Sequence, residues 1–295
     1  MKVSFPKKIF AVFVSYNFGT NLNDAVNKVL NFPSINGAIV VDNASNDSSV
    51  DKLKTVKNNK IFRLIQNGKN IGFDKAVNYG IKKALFLGAD YVVLLDVDLD
   101  FSQDFVTRLY NTGGDFVAPV LKFKRNNLWV YDYGGRVNWF IGRTTHFETY
   151  RPLNSTQTAV STTDRSIKNW IDFVSGGCTL IKKEVFERIG YFDKNFFLYF
   201  GDTEFSLRAR QAGFKVIVDS KTLMRHKLAE HKVTINKFKI GMTLQGNFTF
   251  IKKCVAWNFK PLAYSYLVVL VFKVIYNVYL RPYVQSFRGY RQLQE

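Results

Sequence analysis

Three aspartates, Asp96, Asp98 and Asp100, stand at alternate positions directly behind the apolar run VVLL at 92–95. Residues i and i+2 of an extended strand point the same way, so Asp96 and Asp98 can present two carboxylates to one ligand. Such a pair suits a hard cation, Mg2+ or Mn2+, which takes carboxylate oxygens and keeps its other positions for water or substrate phosphates. Asp100 keeps the alternation, but the chain is expected to have turned by then, which leaves it peripheral. The bland alternative is a solvated acidic strand end, so the pair has to be weighed with the rest of the chain.

A cation in the crevice of a nucleotide-type sheet bridges a diphosphate and draws charge off the leaving group. The implied substrate is a nucleotide diphosphate carrying a transferable group. No GxxxxGK[ST] segment occurs, which disfavours phosphoryl transfer of the ATPase kind, and no GxGxxG follows the first strand, which disfavours a dinucleotide cofactor. Cys178 and Cys254 lie far apart in no metal-ligand or redox spacing and are expected to be ordinary thiols in a reducing compartment.

The elements that must position these groups alternate along the chain. IFAVFVSYN from residue 9, AIVVDN, IFRLIQN and YVVLLDVD are short apolar strands, with helical segments around 21–31, 47–57 and 73–87 between them. This rhythm indicates βαβ units, an α/β fold with a Rossmann-like, mostly parallel sheet covered by helices on both faces. Each strand ends on polar residues: Ser15, Tyr16 and Asn17, then Asp42 and Asn43, then Asn67 and Asn70, then Asp96 and Asp98. The carboxyl ends of parallel strands form the ligand crevice, so these groups are expected to converge. Between 120 and 170 the rhythm fails, and Gly, Ser, Thr and aromatics suggest a loop-rich insertion. Regularity returns with a strand, a Gly-Gly turn at 176–177, a helix from near Lys183 to Gly190, a second from Asp202 through Ala212, and the strand KVIVD.

The ordered set of motifs resembles glycosyltransferase family 2, with its GT-A fold, from residue 9 to about 230. VFVSYN and VVDNASNDSS resemble its first two strands, which implies that Ser15, Tyr16 and Asn17 meet the nucleotide and that Asp42, with Asn43, reads base or ribose. NGKNIGFDKAVNYGIKKA matches the family's N-x-G-x-x-x-A-x-N-x-G signature through Asn70, Gly72, Ala76, Asn78 and Gly80, and Lys75 within it is either a diphosphate contact or a solvated lysine. LLDVDLD stands where the family has its metal motif, Asp96 and Asp98 with Val97 between them, and His226 in LMRHK stands where relatives complete the metal shell. His146 and His231 have no such support. In FGDTEFSLR the resemblance makes Asp202 the general base, with Glu204 orienting an acceptor hydroxyl or capping the helix; the family's first acidic position is Gly201 here, a departure that leaves one carboxylate without a counterpart. Gly176 and Gly177 admit close approach of an acceptor sugar or of a packed neighbour, and Trp170, Trp139 and Tyr133 are candidate stacking platforms for a sugar face. The implied reaction is inverting, metal-dependent transfer. The pattern most resembles bacterial rhamnosyltransferases and galactofuranosyltransferases of cell-surface polysaccharide synthesis, which implies dTDP-rhamnose as sugar donor, or UDP-galactofuranose, and a lipid-linked or polysaccharide acceptor.

Charge is uneven. From Leu207 onward 16 Lys and Arg face 3 acidic residues, +13 of the chain's +19, so the basic surface belongs mostly to the C-terminal third. Residues 262–280 are apolar apart from Lys273, Asn277 and softer polar residues, near the ~20 needed to span a bilayer. With lysines 252, 253 and 260 before and arginines 281, 288 and 291 after, the expectation is an amphipathic helix lying in an anionic membrane interface, ahead of a core or oligomer helix or a true span. The organisation expected is a catalytic domain over 1–230, with a nucleotide-sugar half (1–118) and an acceptor half (119–230), followed by a membrane-association region over 231–295. The N-terminal run IFAVFVSY is short with no cleavage site after it, so the expected location is the cytoplasmic face of the plasma membrane, peripheral. No nucleic-acid motif accompanies the basic charge, a homo-oligomer stays open, and the rival to an enzyme is a catalytically silent membrane scaffold, raised by Gly201.

Overall fold

The computed structural model describes residues 7–53, 56, 60–152, 160–161, 171–227 and 237–280. They form two compact units, residues 1–136 with 145–231, and residues 137–144 with 232–295.

In the first unit, β1 (Ile9–Ser15), β2 (Gly37–Asp42), β3 (Ile61–Gln66) and β4 (Tyr91–Leu95) lie parallel in the order β3-β2-β1-β4. The strands read as unbroken apolar runs because both faces of the sheet are covered. On one face Ile9, Ala11 and Phe13 of β1 join Leu22, Val26 and Val29 of α1 (Thr20–Leu30); on the other, Phe10 and Val12 join Ala76, Val77 and Ile81 of α3 (Phe73–Phe86). A Cβ on Gly80 would lie 2.4 Å from Val12, so this glycine lets α3 seat on the sheet. The short α2 (Ser49–Leu53) lies between β2 and β3.

Beyond β4 the sheet is mixed. β6 (Phe116–Arg125) runs parallel to β11 (Val216–His226), and β10 (Cys178–Lys182) lies antiparallel between β4 and β6. The two-residue strand β5 (Leu99–Asp100) pairs with the end of β11, Leu99 opposite His226. α4 (Phe105–Asn111) joins the α1 side of the core, and α5 (Lys183–Ile189) and α6 (Gly201–Gln211) join the α3 side. The described part of the expected loop-rich insertion is instead largely strand, since β6 pairs with β7 (Leu128–Asn138), and β7 with β8 (Arg143–Thr149). The Tyr, Trp, Val and Thr of this stretch are strand formers, and glycines that read as loop serve close backbone packing. The minor strand β9 (Val160–Ser161) pairs with β11.

The second unit holds α7 (Lys237–Cys254), α8 (Lys260–Ile275), a π-helical turn at Tyr276–Leu280 and the tip of the β7–β8 hairpin. Ile251, Val255, Ala263 and Leu267 form its core, with Trp139 stacked on Phe250 and Phe140 edge-on to Phe259. The packed face of α8 is apolar, and so is the open one: Leu262, Val268, Val269, Phe272, Ile275 and Tyr276 are exposed. An amphipathic helix flanked on both sides by basic residues was expected. The exposed lysines include Lys252 and Lys253 at the end of α7 and Lys273 on α8 itself, and Arg281, Arg288 and Arg291 lie outside the described residues.

Candidate active site

Asp96 follows β4, and its amide donates to the Gly177 carbonyl at 2.8 Å. β11 is bulged between Asp219 and Leu223, and beyond the bulge it pairs with β5, which brings His226 to the carboxyl ends of β1–β4. His226 Nε2 lies 2.9 Å from Asp98 Oδ2, and the Lys227 amide donates to the Asp98 carbonyl at 3.1 Å. Donor atoms of Asp96, Asp98 and His226 all fall within 4.8 Å of one another. Removal from water pushes the Asp96 carboxyl up to about 7, partly offset by His226 and reinforced by Asp98 and Asp202. Burial alone would lower His226, but its bond to Asp98 and the charges of both aspartates raise it. Two carboxylates this close, in a site this dry, fit a divalent cation, whose charge would hold Asp96 ionised. Three protein ligands leave the remaining octahedral positions to water and substrate oxygens. Asp100 is exposed and paired with Lys28 at 3.4 Å, outside this cluster as expected. Val97 turns its side chain into the core, 4% exposed, so only its backbone stays near the site.

Asp202 stands in the first turn of α6. Its Oδ1 accepts the Thr203 amide at 2.8 Å and its Oδ2 the Gly176 amide at 3.0 Å. Burial raises its carboxyl above the usual range, against the two amides and His146, which lower it. Gly176 and Gly177 line the space between Asp202 and the Asp96–Asp98–His226 cluster: a Cβ on the first would lie 3.0 Å from Asp202 Oδ2, and on the second 3.3 Å from Asp96 Oδ2. The approach these glycines permit is to the two aspartates.

Several residues read from sequence as ligand contacts are bound within the protein. Glu204 is buried and bidentate to Arg208, at 2.6 and 2.9 Å, so it braces α6 and is not open to an acceptor. Asn43 donates to Asn70 and the Gly72 carbonyl and accepts from Asn67 and the Ile71 amide, and Asn70 also accepts the Gly72 amide. These amides tie the ends of β2 and β3 to the start of α3. Asn78 exchanges two hydrogen bonds with the Phe192 backbone, at 2.8 and 3.0 Å, which uses both ends of its amide. Gly72, at φ 87, packs against Phe197: a Cβ there would lie 2.7 Å from the Phe197 carbonyl. Tyr133 is fully buried in the core and Trp139 is stacked in the second unit, so neither is a sugar platform; Trp170 and His231 lie outside the described residues. Among residues left for a nucleotide, Ser15 is buried with its hydroxyl unpartnered, Asp42 accepts the Ser45 amide, Asn17 (φ 59) accepts the Asn46 amide, Tyr16 is 48% exposed, and Lys75 is exposed on α3.

Two features gave no signal in sequence. Asp74, in the first turn of α3, is buried with Oδ2 unpartnered, and a Cβ on Gly201 would lie 1.9 Å from that oxygen. A carboxyl group therefore stands where a side chain at 201 would begin, its pKa pushed well above the usual range by burial and by Asp202, Glu204 and Asp193. The second is a linked set, Asp132, His146 and Ser175, beside Asp202. Both sets join distant parts of the chain and become visible only once it is folded.

Residues 11–190 match the model of the family described as Glycosyl transferase family 2. The chain belongs to glycosyl transferase family 2. Its fold is GT-A, and the family makes it a transferase of sugars. It is 28% identical over 232 residues to the dTDP-rhamnosyl transferase RfbF of Shigella flexneri, covering 77% of this chain and 71% of that one. It is 23% identical over 210 residues to the N-acetylglucosaminyl-diphospho-decaprenol L-rhamnosyltransferase of Mycobacterium tuberculosis, covering 64% and 66%. Among solved structures it resembles GalNAc-T7 with UDP, GalNAc and Mn2+ (TM-score 0.61, 15% identity, 83% of this chain and 48% of that one). It also resembles the mannosyltransferase PcManGT of Pyrobaculum calidifontis with GDP-Man and Mn2+ (TM-score 0.56, 16% identity, 98% and 81%). At these identities the structures speak for the fold alone.

Proposed function

We propose that this glycosyltransferase moves rhamnose from dTDP-rhamnose, with inversion, onto a lipid-linked saccharide in cell-surface glycan synthesis, at the cytoplasmic face of a membrane. The observation that carries it is the cluster of Asp96, Asp98 and His226 beside Asp202, across the Gly176–Gly177 backbone. Asp96, Asp98 and His226 would hold Mn2+ or Mg2+, which when bound supplies charge to a departing diphosphate. Asp202, fixed by two backbone amides, takes the proton of the acceptor hydroxyl as that oxygen attacks the anomeric carbon from the face opposite the nucleotide. Its raised affinity for a proton suits that task, since a base works best when its pKa approaches the operating pH. Ser15, Tyr16, Asn17 and Asp42 stand at the ends of β1 and β2, where the nucleotide of such a substrate would lie.

The choice of rhamnose is supported by two relatives whose names carry it. The lipid-linked acceptor is supported by one of those names and by the open apolar face of α8, which with the start of the π-helical turn gives a 19-residue span, Lys260–Val278, long and apolar enough to cross a membrane by length and composition. The catalytic and membrane-association roles fall to the first and second compact units. Release of nucleoside diphosphate from a panel of sugar nucleotides, with Mg2+, Mn2+ or EDTA, tests the proposal. Metal-dependent turnover of dTDP-rhamnose is expected; turnover of UDP-galactofuranose or another UDP-hexose in its place would reassign the sugar donor.

A further inference from the structure

No role assigned above uses the Asp132–His146 pair. Asp132, on β7, is buried. Its Oδ1 accepts the Gly134 amide at 2.9 Å, its Oδ2 accepts the Ser175 hydroxyl at 2.8 Å, and the same Oδ2 lies 2.9 Å from His146 Nδ1 on β8. Ser175 directly precedes Gly176, whose amide holds Asp202. The connection is tight because β7 carries two glycines there. A Cβ on Gly134 would lie 2.4 Å from the Phe173 carbonyl, and one on Gly135 2.3 Å from the Phe173 ring and 2.5 Å from the Thr145 carbonyl. Gly135 and Phe173 exchange backbone hydrogen bonds at 2.9 and 3.2 Å, and the His146 ring stands edge-on to Phe173 at 5.2 Å.

Acidic groups crowd the pair, with Arg125 bidentate to Glu148 and acting on Asp132 beyond them. His146 faces Asp132, Asp202 and Glu148; burial alone would make its imidazole less basic, but these carboxylates raise it. Asp202 faces Asp132 and His146, and acts in turn on Asp96 beyond β4 and Asp74 of α3. Protonated, the His146 ring would set a positive charge between Asp132 and Asp202, while Arg125 is engaged by Glu148. A base must be ionised before its acceptor arrives, and a carboxyl withdrawn from water among other carboxylates resists ionisation.

We propose that His146, oriented by Asp132, is a positioning residue for Asp202: a fixed positive charge beside the acceptor-side base, on a hairpin tied to that base through Ser175 and Gly176. Asp132 fixes the orientation of the ring by accepting from Nδ1–H, as a carboxylate does for a metal-bound histidine. This rests on Asp202 being the base, and two measurements separate the two claims.

The first needs no substrate. The chain has three histidines, so proton NMR of the full-length protein in Mg2+ buffer, with His146→Gln for assignment, follows the His146 ring through pH. Its midpoint is expected above the ordinary histidine range, lower in Asp132→Asn, and lower in Asp202→Asn; an unmoved midpoint in Asp202→Asn overturns the proposal. The second is the pH profile of nucleoside diphosphate release from dTDP-rhamnose. In His146→Gln the acid limb is expected to move to higher pH, with a loss of about 10–100-fold, the scale for groups that orient a functional side chain. His146→Lys, which keeps the charge, should return the limb toward the wild-type position. A uniform loss with an unmoved limb means a merely structural role and overturns the proposal. If the wild-type protein turns over no sugar nucleotide, the functional assignment fails while the NMR coupling still decides this one.

Discussion

Gly201→Ala tests the matched pair of Gly201 and Asp74, and the magnitudes conflict in a useful way. Gly201 has no left-handed backbone, so alanine suits it, and a compatible Gly→Ala change normally stabilises by about 0.4–1 kcal/mol. Here the new Cβ would begin 1.9 Å from Asp74 Oδ2 and 2.4 Å from its Cγ. Relief requires moving either a buried carboxyl or the first turn of α6, and overpacking of that kind costs about 1–3 kcal/mol. The clash should win, lowering Tm by roughly 2–10 °C at about 2–4 °C per kcal/mol. In an Asp74→Ala background the obstacle is gone, and the same substitution should be neutral or stabilising. Thermal unfolding of the four proteins of this double-mutant cycle, followed by circular dichroism, gives the coupling, expected at about 1–3 kcal/mol. An unchanged or raised Tm in Gly201→Ala alone, or an equal loss in both backgrounds, would refute the reasoning.

Asp98→Ala should abolish saturable Mn2+ binding and cut turnover by at least about 100-fold, read by calorimetry and nucleotide release; turnover intact in metal buffer removes the cluster as a cation site. Asp202→Asn should keep cation and sugar-nucleotide binding while kcat falls by about 10²–10⁴, and wild-type activity should fall with decreasing pH at a value above the ordinary aspartate range, because only the ionised base works and burial raises its pKa. Asp74 is also raised, so its stabilising effect is full below the unfolded aspartate pKa and is lost as pH rises through the folded one; Asp74→Asn should therefore gain stability over wild type as pH rises, and a gap that widens toward acid contradicts the assignment. Val269→Glu with Phe272→Glu changes two residues 61% and 67% exposed on α8 and spares its packed face, so flotation with anionic vesicles should be lost without a change in fold, and undiminished flotation would end the case for α8 as the anchor.

The parallel half of the fold and the Asp96–Asp98 pair were legible because a strand has period two and a doubly covered sheet leaves continuous apolar runs. His226 was placed only through the family resemblance, since a bulge and a two-residue strand deliver it, and neither has a local signature. Glu204 shows the opposite error: Arg208 follows four residues later on the same helix, the spacing of an ion pair, so its engagement was readable. The asparagines of the signature were misread because an amide bonds backbone as readily as a nucleotide, and only geometry tells which. His146 and Asp132 sit 14 residues apart on adjacent strands of a hairpin read as loop, so their pairing could not be foreseen.

The union of Leu99–Asp100 with the end of β11 reaches past its local geometry. The candidate cation ligands are residues 96, 98 and 226, so the third arrives only when nearly the whole first unit has been made. A chain released early, or one whose last strand fails to dock, would keep both aspartates and still lack the cluster. Cation binding, if the cluster holds an ion, would be a checkpoint on assembly, and the ion would clamp two segments far apart in sequence, resisting their separation.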